Sequence, residues 1–171
     1  ITLLKGLNLD AHPVLLSTKE HGIPAFITLD GYNYVIAYVK INGNTYLMDA
    51  TDKLSIPNVL PSRTQNSKGR LIRNNGFSQE IILEDPKATL SLELLNFYLN
   101  ENGQISGQYK QRLSKIESLE YRTNYKSPNS RMRVNEISTS YNLEEISNLN
   151  TDNFNELDDV IVESYDFKLD N

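Results

Sequence analysis

Asp49 is the residue whose placement most needs a chemical explanation. It follows the run Thr45-Tyr46-Leu47-Met48, so a carboxylate stands at the close of an apolar strand, where an ionised acid needs a partner to offset its desolvation. The strand before it, Tyr34 to Ile41, starts across a hairpin from Asp49, and the residue at that start is Tyr34. A histidine there, beside a thiol, would make the familiar arrangement in which the acid orients the imidazole and stabilises its protonated form. A phenol, with an ordinary pKa of ~10, does not take a thiol proton at neutral pH. The plainer use of Asp49 is to satisfy backbone N–H groups of the following turn, helped by Thr51 and Asp52. A Tyr34 hydroxyl on the same face as Asp49 and within hydrogen-bond reach would mean that tyrosine plugs the position a base would occupy.

Other chemistry is narrowed by what the chain lacks. With no cysteine, disulfides, thiolate zinc sites and iron–sulfur sites are excluded, as is a thiol nucleophile within these residues. The histidines, His12 and His21, are nine residues apart on different elements and in no metal-binding spacing; they read as structural or solvent residues. Arg63, Lys68, Arg70 and Arg73, and the base-rich stretch from Lys110 to Arg133, have the groups to hold a phosphate or an acidic glycan. Such charge equally keeps a loop solvated, or pairs with the acid-rich segment from Glu144 onward. Asp152, Glu156, Asp158 and Asp159 lack the glycine and the closing glutamate of a calcium loop. Phosphate-binding glycine loops and serine nucleophile elbows are absent, so no metal and no cofactor is implied. The net charge of −5 gives no global basic field for nucleic acid. No stretch approaches the ~20 apolar residues of a helical membrane span.

The elements that must position these residues are mostly strands. A chain of 171 residues, 39% of them apolar, can bury one good core or two small ones. Asn42-Gly43 joins Tyr34–Ile41 to Thr45–Ala50 in a hairpin, and Asn102-Gly103 joins a strand within Thr89–Leu99 to one within Gln104–Leu113. Leu90, Leu92 and Leu94 alternate, after which Leu95 and Phe97 shift the apolar face, as a β-bulge would. Ala11 to Thr18 reads as an earlier strand, and Pro57 to Gly76, rich in Asn, Ser and Arg, as a long connector with the domain break near its end. A helix is predicted near 115–126. Another follows the Asn129-Ser130 cap, with Val134, Ile137, Ser138 and Tyr141 on one face, and a strand near Val160–Phe167 closes the chain. The opening Ile1–Leu7, without an initiator Met, reads as the end of a helix closed by Gly6, and hence as the C-terminal piece of something longer.

The runs Leu7-Asn8-Leu9-Asp10-Ala11, Pro13-Val14-Leu15, Asn33-Tyr34-Val35-Ile36-Ala37 and Leu47-Met48-Asp49-Ala50-Thr51-Asp52 resemble the second half of a bacterial transglutaminase-like domain, of papain-like thiol architecture. The later run, Gly103 to Gly107, Tyr121-Arg122 and Tyr165-Asp166-Phe167, is similar to the β-rich domain of unknown function that follows it in secreted or periplasmic proteins of Gram-negative bacteria. The resemblance implies an α+β, mostly β chain: residues 1–75 an antiparallel sheet completing the transglutaminase-like core, and 76–171 a second antiparallel β-rich domain with one or two helices. It maps the family Asp onto Asp49 and the family His onto Tyr34, and puts the family Cys before Ile1. The implied function is that of a non-catalytic portion of a periplasmic, secreted or outer-membrane-associated protein, acting as a scaffold or as a protein or glycan binding module. The alternative is part of an active cysteine hydrolase or acyl-transferase whose Cys lies upstream and whose base comes from elsewhere, such as His21. Phe97, Tyr98, Tyr109 and Tyr121 stand at alternating positions that read first as core, and are otherwise the candidate partner anchors; exposure favours the anchor role and burial of all four counts against it.

Overall fold

Asn-Gly turns and β-branched or aromatic runs give the chain its strands, which form two antiparallel sheets of five and four strands with three short helices. A computed structural model describes residues 1–24, 26, 28–83 and 89–169. The chain divides into two compact units, Ile1–Ala88 and Thr89–Asn171.

The first unit opens with α1 (Thr2–Gly6), followed by β1 (Asp10–Leu16), β2 (Tyr34–Ile41), β3 (Asn44–Met48), β4 (Lys68–Ile72) and β5 (Ser78–Ile82), in the sheet order β3-β2-β1-β4-β5. Asn42 and Gly43 both take positive φ, 50° and 84°, as the two-residue turn between β2 and β3 demands. Pro13 sits in the central strand β1, yet β4 pairs only with Val14–Leu16. The missing N–H of Pro13 therefore removes no bond from that ladder. Val14, Leu16, Ile36, Leu60, Leu71 and Leu83 form the core on one face. His12, Tyr34 and Tyr38 lie on that same face, because side chains alternate along each strand.

The stretch read as a connector contains β4. Asn75-Gly76 turns the chain back onto it as β5, with Arg73 N–H bonded to Phe77 O at 2.9 Å. This hairpin carries the first unit past residue 75, and the break falls after residue 88.

The second unit contains β6 (Ser91–Leu99), β7 (Ile105–Leu113), α2 (Ile116–Tyr125), α3 (Arg131–Tyr141), β8 (Leu143–Asp152) and β9 (Ile161–Leu169), in the sheet order β6-β7-β9-β8. The Ser130 hydroxyl caps α3 by accepting Arg133 N–H. Leu113, Tyr121 and Ile161 pack at one end of the sheet, and Ile137, Tyr165 and Phe167 beneath α3. Gly107 leaves room for that packing, since a Cβ there would stand 2.8 Å from Phe167 Cζ and 2.2 Å from Asn96 O. One expectation is corrected here. β6 pairs with β7 from Ser91 to Leu99 without a bulge, so its leucines point to both faces and every residue of β6 is exposed. The polar run after α3, which has no clean alternation, is the ten-residue strand β8, held by its pairing with β9.

Candidate functional site

The start of β2 is fixed by Asn33. Its side-chain oxygen accepts Thr18 N–H at 2.9 Å and its amide donates to Thr18 Oγ1 at 2.9 Å, while Leu16 pairs with Tyr34 in the β1–β2 register. Tyr34 thereby projects on the core side, beneath the loop that follows β3. Asp49 leaves the end of β3 on that side, its side chain wholly shielded from solvent.

The two meet. Tyr34 Oη donates to Asp49 Oδ2 at 2.8 Å. Asp49 Oδ1 accepts Thr51 N–H at 2.9 Å and Thr51 Oγ1–H at 2.7 Å, the local turn that a strand-end acid favours. Tyr34 Oη also contacts Thr51 Oγ1. Arg63, on a 3-10 turn at Ser62–Thr64, completes the cluster: Nη2 donates to Tyr34 Oη at 3.1 Å and Nη1 to Asp52 Oδ2 at 3.3 Å. Nη2 also stands 3.5 Å from Asp49 Oδ2, and the guanidinium carbon lies 5.7 Å from the centre of the Tyr34 ring. The bond to Tyr34 foremost, with Asp52 and Asp49 adding to it, holds the Arg63 guanidinium above its ordinary pKa.

Chemically this is a closed network. Both carboxylate oxygens of Asp49 are occupied, and the group facing them is a phenol with no imidazole between. His12 does not join it: its Nε2 is 2.7 Å from Asp10 Oδ1, Nδ1 is buried without a partner, and it registers with Tyr38, roughly 13 Å along β2 from Tyr34. His21, the alternative base, has Nε2 on Asp30 O at 3.1 Å. The connector bases are also engaged. Lys68 bonds Glu80 at 3.1 Å, Arg70 bonds Tyr32 and Ser78, and Arg73 lies over the Tyr38 ring at 5.9 Å. Among the described residues no cluster of three or more His, Asp or Glu could hold a metal ion.

The acid-rich loop before β9 is filled by an arginine. Arg122 donates to the backbone carbonyls of Asn153, Phe154, Leu157, Glu156 and Asp159, and burial lowers its pKa. A second network lies under α2 and α3, where Glu163, fully buried, accepts Gln111 Nε2 at 2.6 Å, Arg133 Nη2 at 2.8 Å and Nε at 2.9 Å, and the Tyr121 hydroxyl. Burial opposes the charge on Arg133, but the two-pronged bond to Glu163 outweighs it and raises its pKa. Sequence reasoning did not name Glu163, and it offered Arg63 only as one of four connector bases able to hold an anion, not as a partner of Tyr34 and Asp49. The one available signal for Glu163 was an acid in the apolar run Val160-Ile161-Val162; nothing in the sequence tied Arg63 to Tyr34.

No family model, curated protein or solved structure matches this chain. No helix among the described residues is long and apolar enough to cross a membrane. Of the four candidate anchors, Tyr121 is buried, Tyr109 half-buried, and Phe97 and Tyr98 are 61% and 73% exposed.

Proposed function

We propose that this chain is a non-catalytic portion of a transglutaminase-like protein of the bacterial cell envelope, serving as a scaffold or as a module for a protein or glycan partner. The observation that carries the reading is the 2.8 Å bond from Tyr34 to Asp49. The acid that would orient a catalytic imidazole is buried and its oxygens are taken by a phenol, by Thr51 and by the nearby Arg63. A network of this kind has no group that accepts a thiol proton at neutral pH, and it fixes the end of the β2–β3 hairpin instead. The exposed Phe97 and Tyr98 support the binding side of the proposal, since aromatic side chains left in solvent are the usual anchors of an interface.

Thiol labelling across pH, on the natural gene product that contains these residues, tests it. Any cysteine present is expected to react with iodoacetamide along the profile of an ordinary thiol, with an apparent pKa near ~8.5. In Tyr34→His, the imidazole returned beside Asp49 is expected to lower that value. A cysteine that reacts rapidly at or below pH 7 in the unaltered protein would overturn the non-catalytic reading. A Tyr34→His profile identical to that of the unaltered protein would remove the transglutaminase-like assignment of this site.

A further inference from the structure

Among the described residues β6 is an open edge of the second sheet. Natural edge strands are blunted by lysine, proline, bulges or shortness, and the other edge of this sheet shows such features: β8 is interrupted by two register shifts and carries Glu144, Glu145, Asn148 and Asn150. β6 has no lysine, proline or register shift, and its polar residues are Ser91, Glu93 and Asn96. It runs nine residues, Ser-Leu-Glu-Leu-Leu-Asn-Phe-Tyr-Leu, in unbroken register. Leu92, Leu94 and Tyr98 on one face, and Leu95, Phe97 and Leu99 on the other, are each 53–73% exposed. Leu95 and Phe97 continue, with Tyr109, Tyr165 and Phe167, into an apolar groove of about 600 Å³ whose charged lining residue is Glu93.

The backbone of β6 states which groups are free. Asn100 N–H bonds Gln104 O at one end of the hairpin and Ser114 N–H bonds Leu90 O at the other. Bonded pairs alternate along an antiparallel ladder, so Leu92, Leu94, Asn96 and Tyr98 turn their N–H and C=O groups toward β7. Ser91, Glu93, Leu95, Phe97 and Leu99 turn theirs to the open edge.

We infer that β6 pairs antiparallel with β6 of a second copy of this chain, about a two-fold axis at Leu95, to make one eight-stranded sheet. That register is the one in which all nine residues overlap. Outward-facing residues then meet outward-facing residues: Leu95 meets Leu95 of the second copy, Glu93 meets Phe97, and Ser91 meets Leu99. On the other face Leu92 meets Tyr98, an aromatic–aliphatic pair of the kind that stabilises sheets. A register centred on Glu93 would instead set two carboxylates face to face. Pairing at this edge satisfies the outward N–H and C=O groups of β6 and brings the flanks of its six exposed apolar side chains against those of the second copy. The inference stands independently of the reading of Tyr34 and Asp49.

Because the chain has no cysteine, single cysteines report the pairing directly. Leu95→Cys brings two thiols together across a bonded pair whose Cα atoms are ~5.5 Å apart, within disulfide range. Leu99→Cys leaves its two copies eight residues out of register, roughly 27 Å apart. Mild oxidation is expected to cross-link the first and leave the second as single chains. Sedimentation at roughly 100 μM chain, about a hundredfold above a micromolar Kd, is expected to give twice the 19.5 kDa chain mass. Leu95→Lys, which sets two ammonium groups opposite each other, is expected to return single chains with an unchanged far-UV spectrum. A single-chain mass for the unaltered protein, or equal cross-linking at 95 and 99, overturns the inference. Should Leu95→Lys misfold, the cysteine pair still decides it.

Discussion

Removing the Tyr34 hydroxyl tests whether the cluster at Asp49 is a unit or a set of coincident contacts. Tyr34→Phe keeps the ring, which packs against the core of Val14, Leu16, Ile36, Leu60, Leu71 and Leu83, and deletes the donor 2.8 Å from Asp49 Oδ2. That oxygen is then left with Arg63 Nη2 at 3.5 Å. The Arg63 side chain is 44% exposed, so its pull is screened and replaces little of the lost bond. A hydrogen bond to a charged group contributes about 1.5–3 kcal/mol, and the Asp49 side chain has no exposed surface through which water can substitute. The expected loss is therefore about 1.5–3 kcal/mol, or roughly 6–24 °C in the midpoint for a unit of this size. Since the chain has two units, the change must be read locally, by native-state hydrogen exchange at the slow amides of β2 and β3. The decisive comparison is the same substitution in an Asp49→Ala background, where the hydroxyl has no carboxylate to serve and its removal is expected to cost less than ~1 kcal/mol. Equal costs in the two backgrounds, to within ~0.5 kcal/mol, would mean that the hydroxyl and the acid act independently, and the closed-network account would be refuted.

The remaining predictions concern the second unit. Arg133→Met leaves Glu163 buried without its cation and is expected to destabilise this unit by about 3–5 kcal/mol, with Arg133→Met/Glu163→Leu recovering most of the loss; urea unfolding followed by exchange in β7 and β9 measures it, and a loss under ~1 kcal/mol would contradict the pairing drawn here. Alkaline pH is expected to unfold the same unit. Burial foremost, with neighbouring Tyr141 and Glu163, pushes Tyr165 up to about 12, and burial also raises Tyr109 and Tyr121. Native packing thus favours the protonated phenols over their unfolded value of ~10. The stabilisation is whole below pH ~10 and is lost as pH rises through about 12; phenolate absorbance rising at the unfolded value in the folded protein would argue against it.

Local signals settled much of this protein in advance. Asn42-Gly43 and Asn102-Gly103 announced their hairpins because turn geometry is decided within four residues. Ser130 and the spacing of Val134, Ile137 and Tyr141 announced α3 for the same reason: capping and helical periodicity are local. The Tyr34–Asp49 contact was legible too, since a hairpin of known register sets which strand ends face each other. What the sequence did not carry were pairings whose partners lie far along the chain. β4 is polar and glycine-containing, and it is a strand because β1 and β5 supply its hydrogen bonds. β8 lacks alternation and is held by β9. Arg63 reaches Tyr34 across 29 residues and Arg133 reaches Glu163 across 30, distances at which no spacing rule connects two side chains. The bulge expected at Leu94-Leu95 failed for a related reason. A shift of the apolar face signals a bulge when one face of a strand is buried, but β6 is exposed on both faces, and whether a face is buried is decided by what the tertiary structure packs against it.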